Sequence, residues 1–191
     1  SCSDMAERKN QHYVPKMLLK RFGYGDDNRQ IDLLNVASGR LVRGAPVKSQ
    51  CSKDYFYDKD GELQGHLGYF EGRYAKLIRD AAEIGRYNPA CHYDSATVTV
   101  LQKPRTYQQV EAMELGEEKM RKLWLNNRVP EAALRSVRIR RPDMPAIMVR
   151  MGFLASLNLL DLKQFLVVNR SPRPFLMSDT PVLETNRFIR Q

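Results

Sequence analysis

The chain has 191 residues, of which 42% are hydrophobic, 28% charged and 9% aromatic, a balance that excludes disordered and collagen-like classes and leaves apolar mass for a sizeable core. Lys and Arg total 31 against 22 Asp and Glu, a formal charge of +9, which brings an anionic partner such as nucleic acid into consideration. The longest apolar stretch, Ala146 to Leu160, is interrupted by Arg150, Ser156 and Asn158, so no membrane span is expected, and the polar opening SCSDMAERKNQ is unlike a secretory signal. Cys2, Cys51 and Cys91 cannot all pair and show no zinc spacing, which predicts a reduced, cytoplasmic chain.

In chain order, Tyr13 to Phe22 has the apolar spacing of a short amphipathic helix, with Pro15 in its first turn and Gly23 as its stop. Gln30 to Val36 and Arg40 to Val47 alternate apolar and polar residues around Ala37-Ser38-Gly39, which predicts a β-hairpin. The aromatic segment Asp54 to Asp58 predicts a third strand or extended segment against that hairpin, its three aromatics divided between core and edge.

From Gly68 to Ile84 the period is helical, with Phe70, Tyr74, Leu77, Ile78 and Ala81 on one face and Gly85 as terminator. Arg86 to Arg105 breaks this pattern and reads as a long loop or a place where residues are missing, with Thr97 to Leu101 either a brief strand or a first helical turn. Tyr107 to Leu125, Glu131 to Val137 and Ala146 to Leu160 predict three more helices, the last two separated by Arg141-Pro142-Asp143-Met144-Pro145. Lys163 to Asn169 and Phe175 to Leu183 read as partner strands about the turn Ser171 to Pro174. The fold class expected is α+β in one domain over 1–191: a helix and hairpin region (1–65), a helical region (66–160) and C-terminal strands (161–191). The terminal strands are expected to form one mixed or antiparallel sheet with the helices beside it.

Two stretches carry a resemblance. Asn10-Gln11-His12-Tyr13-Val14-Pro15-Lys16-Met17-Leu18-Leu19-Lys20-Arg21-Phe22 and Pro174-Phe175-Leu176-Met177-Ser178-Asp179-Thr180-Pro181-Val182 resemble the opening and close of the bacterial DUF4238 family, whose activity is unsettled. Between them, Lys53 to Tyr57, Glu71 and the segment Gln102 to Thr106 are similar to the family's middle motifs. The resemblance implies a set of recurring polar residues and further strands after Gln191, so that the chain reads either as truncated there or as carrying a shortened end.

The polar residues so marked suggest a site. His12 precedes a proline-started helix, where it would serve as general base or ligand near an anion-binding helix end, or as a cap or core hydrogen-bonding group. Glu71 and Asp179 would act with it as catalytic carboxylates or metal ligands, and Arg105, Gln102 and Ser178 would bind substrate, Arg105 as a phosphate clamp. Equally, Asp179 would bond its own turn, Glu71 would complement a helix dipole, and Arg105 would pair with Asp179 or Glu71. Two function classes follow: a phosphodiesterase or nuclease using a divalent cation such as Mg²⁺ or Mn²⁺, and a non-catalytic module. In the second, a basic helix face binds nucleic acid or an acidic protein through Arg135, Arg138, Arg140 and Arg141, with Lys119, Arg121, Lys122 and Arg128 upstream. Phosphate-loop, dinucleotide, serine-hydrolase, zincin and EF-hand motifs are all missing from the sequence.

Overall fold

The computed structural model describes residues 9–137 and 143–183. The chain begins with β1 (Asn10–His12), and Pro15 then starts α1 (Lys16–Leu19), which tightens at once into a 3-10 turn over Lys20–Phe22. The helix expected over Tyr13 to Phe22 is therefore only four α-helical residues long. The turn leads into Gly23, where a Cβ would stand 2.6 Å from the Asn28 carbonyl oxygen, so only glycine lets the chain fold back this closely.

The hairpin forms as expected from β2 (Gln30–Asn35) and β3 (Arg40–Pro46), with Gln30 opposite Pro46 and Asn35 opposite Arg40. Its register shifts between Ile31 and Leu33. At this irregularity the Asp32 carboxylate accepts from the Tyr24 hydroxyl at 2.6 Å and from the Gly44 N–H at 3.0 Å. The aromatic segment does not extend the hairpin. The strand there, β4 (Ser52–Asp54), lies just upstream of the aromatics and pairs antiparallel with β1, Gln11 opposite Lys53. Tyr55 then takes a left-handed φ of 53°, Phe56 and Tyr57 turn into the core, and Tyr55 stays exposed.

The second half is helical: α2 (Glu62–Ile84), α3 (His92–Gln102), α4 (Tyr107–Asn126), α5 (Glu131–Val137) and α6 (Met144–Ser156). Helix α2 starts six residues before the periodic stretch because carboxylates satisfy its first free N–H groups, Asp60 taking that of Glu62 at 3.0 Å and Asp58 that of Leu63 at 2.5 Å. Helix α3 replaces the loop expected within 86–105, and Thr97 to Leu101, read as a brief strand or a first helical turn, is helical and lies in its second half. Its Asn88-Pro89 entry is capped by the Asn88 side chain, and its β-branched residues become helical because Ala96, Thr97, Val98 and Leu101 are buried.

The α+β class holds, but the sheet arrangement differs from the one expected. The strands form two separate two-stranded sheets, β1 with β4 and β2 with β3, and the described part of the C-terminal region, 161–183, contains no strand. A strand is stable only when its N–H and C=O groups find a partner, and none of the four N-terminal strands takes a partner from this segment. The segment instead lies against the body without regular secondary structure, with Phe165, Val167 and Leu176 exposed.

Two hydrophobic clusters hold the chain together. One joins Phe56, Tyr57, Leu63, Leu67, Leu101, Val110, Met144 and Val149, and the other joins Val14, Leu19, Ile31 and Val47, with Met177 packed against it. Tyr13 packs against both, so the residue between β1 and α1 joins the N-terminal unit to the helices. Among the described residues no helix is long and apolar enough to cross a membrane.

Candidate functional site

The marked residues gather around the three consecutive residues Gln11, His12 and Tyr13. Gln11 is fully buried in β1. Its Oε1 accepts the Tyr57 N–H at 2.6 Å and the Asp58 N–H at 3.3 Å, while its Nε2 donates to the Asp58 carbonyl at 2.7 Å and carboxylate at 2.8 Å. This bond set fixes Asp58 where it caps α2.

The His12 carbonyl accepts from Arg105 Nη2 at 2.8 Å and from the Tyr57 hydroxyl at 3.3 Å. The same Nη2 donates to Glu71 Oε1 at 2.7 Å, and Arg105 Nε donates to the Tyr57 oxygen at 3.0 Å. The Arg105 side chain is 3% exposed and that of Glu71 is 21% exposed. Burial acts against the Arg105 charge, but Tyr57 and Glu71 outweigh it and raise its pKa, so the guanidinium is held charged. Burial pushes the Tyr57 phenol up to about 12, so it remains a neutral hydroxyl. One residue on, the Tyr13 carbonyl accepts Gln102 Nε2 at 2.9 Å. Arg105 and Gln102 thus both grip the main chain of the opening motif, as structural donors.

The imidazole of His12 is buried with Nε2 3.4 Å from the Val47 carbonyl. Burial, with Lys16 nearby, lowers its pKa to about 4, so the ring is neutral at physiological pH. This is the core hydrogen-bonding role, and the four-residue α1 that follows is too short to build an anion site from its dipole.

Ser178 and Asp179 take a different place. Ser178, not Asp179, closes its own turn: its hydroxyl donates to the Thr180 carbonyl at 2.8 Å and accepts the Thr180 N–H at 3.1 Å. Thr180 donates through its hydroxyl to Gln108 Oε1 on α4 at 2.8 Å, which docks the segment. Asp179 is exposed and lies beside Tyr13 and Cys51. Burial and then this carboxylate push the Cys51 thiol up to about 11, and burial with Cys51 and Asp179 pushes the Tyr13 phenol up to about 12. Neither is an activated nucleophile.

The structure therefore brings Arg105, with Glu71, to the His12 carbonyl and Gln102 to the Tyr13 carbonyl, turns the His12 ring to Val47, and seats Asp179 beside Tyr13 and Cys51, with Ser178 closing the adjoining turn. Among the described residues no group of three His, Cys, Asp or Glu side chains is placed to hold a metal ion. Gln11 and Tyr57 complete the network and were not singled out from sequence, although a glutamine between strand residues of an opening motif was a visible signal for a buried amide.

The basic run Arg138, Arg140 and Arg141 lies outside the described residues, as does the side chain of Arg135. Upstream, Arg121 pairs with Glu131 at 2.8 Å and Lys122 with Glu118 at 3.1 Å, so that part of the face is partly neutralised. A second basic area surrounds α1, where Lys16, Lys20 and Arg21 follow one another and the 3-10 turn bearing Lys48 packs against the helix.

The fold is thus α+β, with Gln11, Tyr57, Glu71, Gln102 and Arg105 bonded around the main chain that leads from β1 into α1. The family model described as "Protein of unknown function (DUF4238)" matches residues 10–191, and the chain belongs to that family. No curated protein and no solved structure matches it.

Proposed function

We propose that this chain is a non-catalytic interaction module in which the DUF4238 motif residues hold the fold and the basic surface binds nucleic acid. The observation that carries this reading is the commitment of Arg105: its guanidinium is buried and bonded to Glu71, Tyr57 and the His12 carbonyl, which leaves it unsuited to clamp a phosphate. The neutral, buried His12 ring agrees with this, since a general base must reach a substrate proton. The formal charge of +9 supplies the attraction for phosphates. The free thiols of Cys51 and Cys91 suit a reducing compartment such as the cytoplasm.

The rival reading is a Mg²⁺- or Mn²⁺-dependent phosphodiesterase using His12, Glu71 and Asp179. Both are tested together on the purified chain. The module reading expects binding to single- and double-stranded DNA and RNA at low salt, weakened when Lys20→Glu and Arg21→Glu are combined with Arg138→Glu and Arg141→Glu. It also expects no cleavage with either cation. Cleavage that disappears in Asp179→Ala while the fold is retained would overturn it in favour of the enzyme, and binding unchanged by the charge reversals would overturn the basic surface.

A further inference from the structure

Away from the motif network, a cavity of about 710 Å³ opens between the C-terminal half of α2, the start of α3 and the extended chain over 162–168. This is within the range of about 300–1,000 Å³ typical of small-molecule sites. Its walls are aliphatic and aromatic, with Leu77, Ile78 and Leu159 among them, and the exposed Leu162, Phe165 and Val167 form its open rim.

The polar groups at the cavity fall into two sets. Tyr87, Ser95 and Gln164 satisfy one another: the Tyr87 hydroxyl donates to Gln164 Oε1 at 2.6 Å, the Ser95 hydroxyl donates to the same oxygen, and Gln164 Nε2 donates to the His92 carbonyl at 3.2 Å. His92 in turn bonds the Leu160 carbonyl at 2.9 Å. This knot pins the extended segment against α3 and so forms one wall of the cavity.

The second set has no partner among the described residues. It consists of the side chains of Tyr74, half-buried, and of Thr99 and Lys163, both exposed, three cavity-lining residues that can each donate. Burial raises the Tyr74 pKa, so this phenol keeps its proton. An apolar cavity edged by three free donors, one of them cationic, is complementary to a molecule with a hydrocarbon body and an anionic, acceptor-only head.

We infer that the cavity between α2, α3 and residues 162–168 binds a single-chain amphiphilic carboxylate, with the hydrocarbon chain along Leu77, Ile78 and Phe165 and the carboxylate at Lys163 and Tyr74. This is independent of nucleic-acid binding, because no motif residue of the network lines the cavity.

The test uses the full chain and a fluorescent fatty acid, parinaric acid, as probe, displaced by palmitate, hexadecanol and hexadecyltrimethylammonium. Saturable binding of one probe per chain is expected, with palmitate displacing it best and the cationic amphiphile worst. Thr99→Trp, at an exposed position on the cavity wall, should abolish binding while the melting temperature stays near that of the wild type. Lys163→Glu should weaken palmitate about tenfold and leave hexadecanol unchanged. Should Thr99→Trp not fold, Tyr74→Phe serves as the second variant and should weaken palmitate more than hexadecanol. Absence of saturable binding, displacement without regard to head-group charge, or binding that survives Thr99→Trp would each overturn the inference. So would a chain dimer that Thr99→Trp dissociates, since the cavity would then hold a second copy of the protein.

Discussion

Arg105, in the turn between α3 and α4, meets Glu71 of α2 at 2.7 Å, with the arginine almost wholly enclosed and the glutamate reaching partial solvent. The pair is unequal: removing the carboxylate leaves a buried cation bonded only to neutral oxygens, which is far costlier than the pair's own net contribution.

Glu71→Ala should therefore destabilise the chain by about 3–5 kcal/mol, the usual cost of breaking a buried pair. Arg105→Met combined with Glu71→Leu should cost less than Glu71→Ala alone, because no unpaired charge remains. Urea unfolding of the two variants beside the wild type checks this. Equal stability of Glu71→Ala and wild type would mean that the pair holds nothing in place.

Stability should also fall with mild acid in a way traceable to His12. Its folded pKa of about 4 lies below the ordinary histidine value, so between the two the unfolded chain binds the extra proton. The contribution is fully present above pH about 6.5 and is lost progressively as pH drops through 4, amounting to as much as about 3 kcal/mol. His12→Gln should be less stable at pH 7 and should show a shallower loss between pH 6.5 and 4.5. Parallel stability curves for the two proteins across that window would contradict the buried neutral ring.

Glycines in two helices should respond in opposite senses. A Cβ on Gly152 of α6 would stand 2.9 Å from Pro104 Cγ and 3.4 Å from Leu101 Cδ2, at the close approach of α6 to the end of α3. Gly152→Ala should cost about 1–3 kcal/mol by overpacking. Gly72 of α2 has nothing within 4 Å of such a carbon, so Gly72→Ala should stabilise by about 0.5–1 kcal/mol through helix propensity alone. Thermal unfolding distinguishes them, with about 2–4 °C expected per kcal/mol in a chain of this size.

Much of the local architecture is legible in the sequence. The alternation on either side of Ala37-Ser38-Gly39 gives β2 and β3, and the spacing of Phe70, Tyr74, Leu77 and Ile78 gives α2 with Gly85 as its end, because period and terminator are properties of neighbouring residues. The motif residues His12, Glu71, Gln102 and Arg105 could likewise be named in advance, and the pairing of Arg105 with Glu71 was one of the arrangements their types allowed.

Only the tertiary structure decided what those groups face. The β-branched stretch of α3 became helix because one side of it is buried, and the described strand-like residues of 163–183 are held by side-chain bonds, Gln164 to Tyr87 and His92 and Thr180 to Gln108, in place of a strand partner. The buried Arg105 bonds the main chain of residue 12, and Asp179 stands by Tyr13 and Cys51. A side chain's role as clamp or as brace depends on which distant groups surround it and how much water they exclude, and neither is written in the local order of residues.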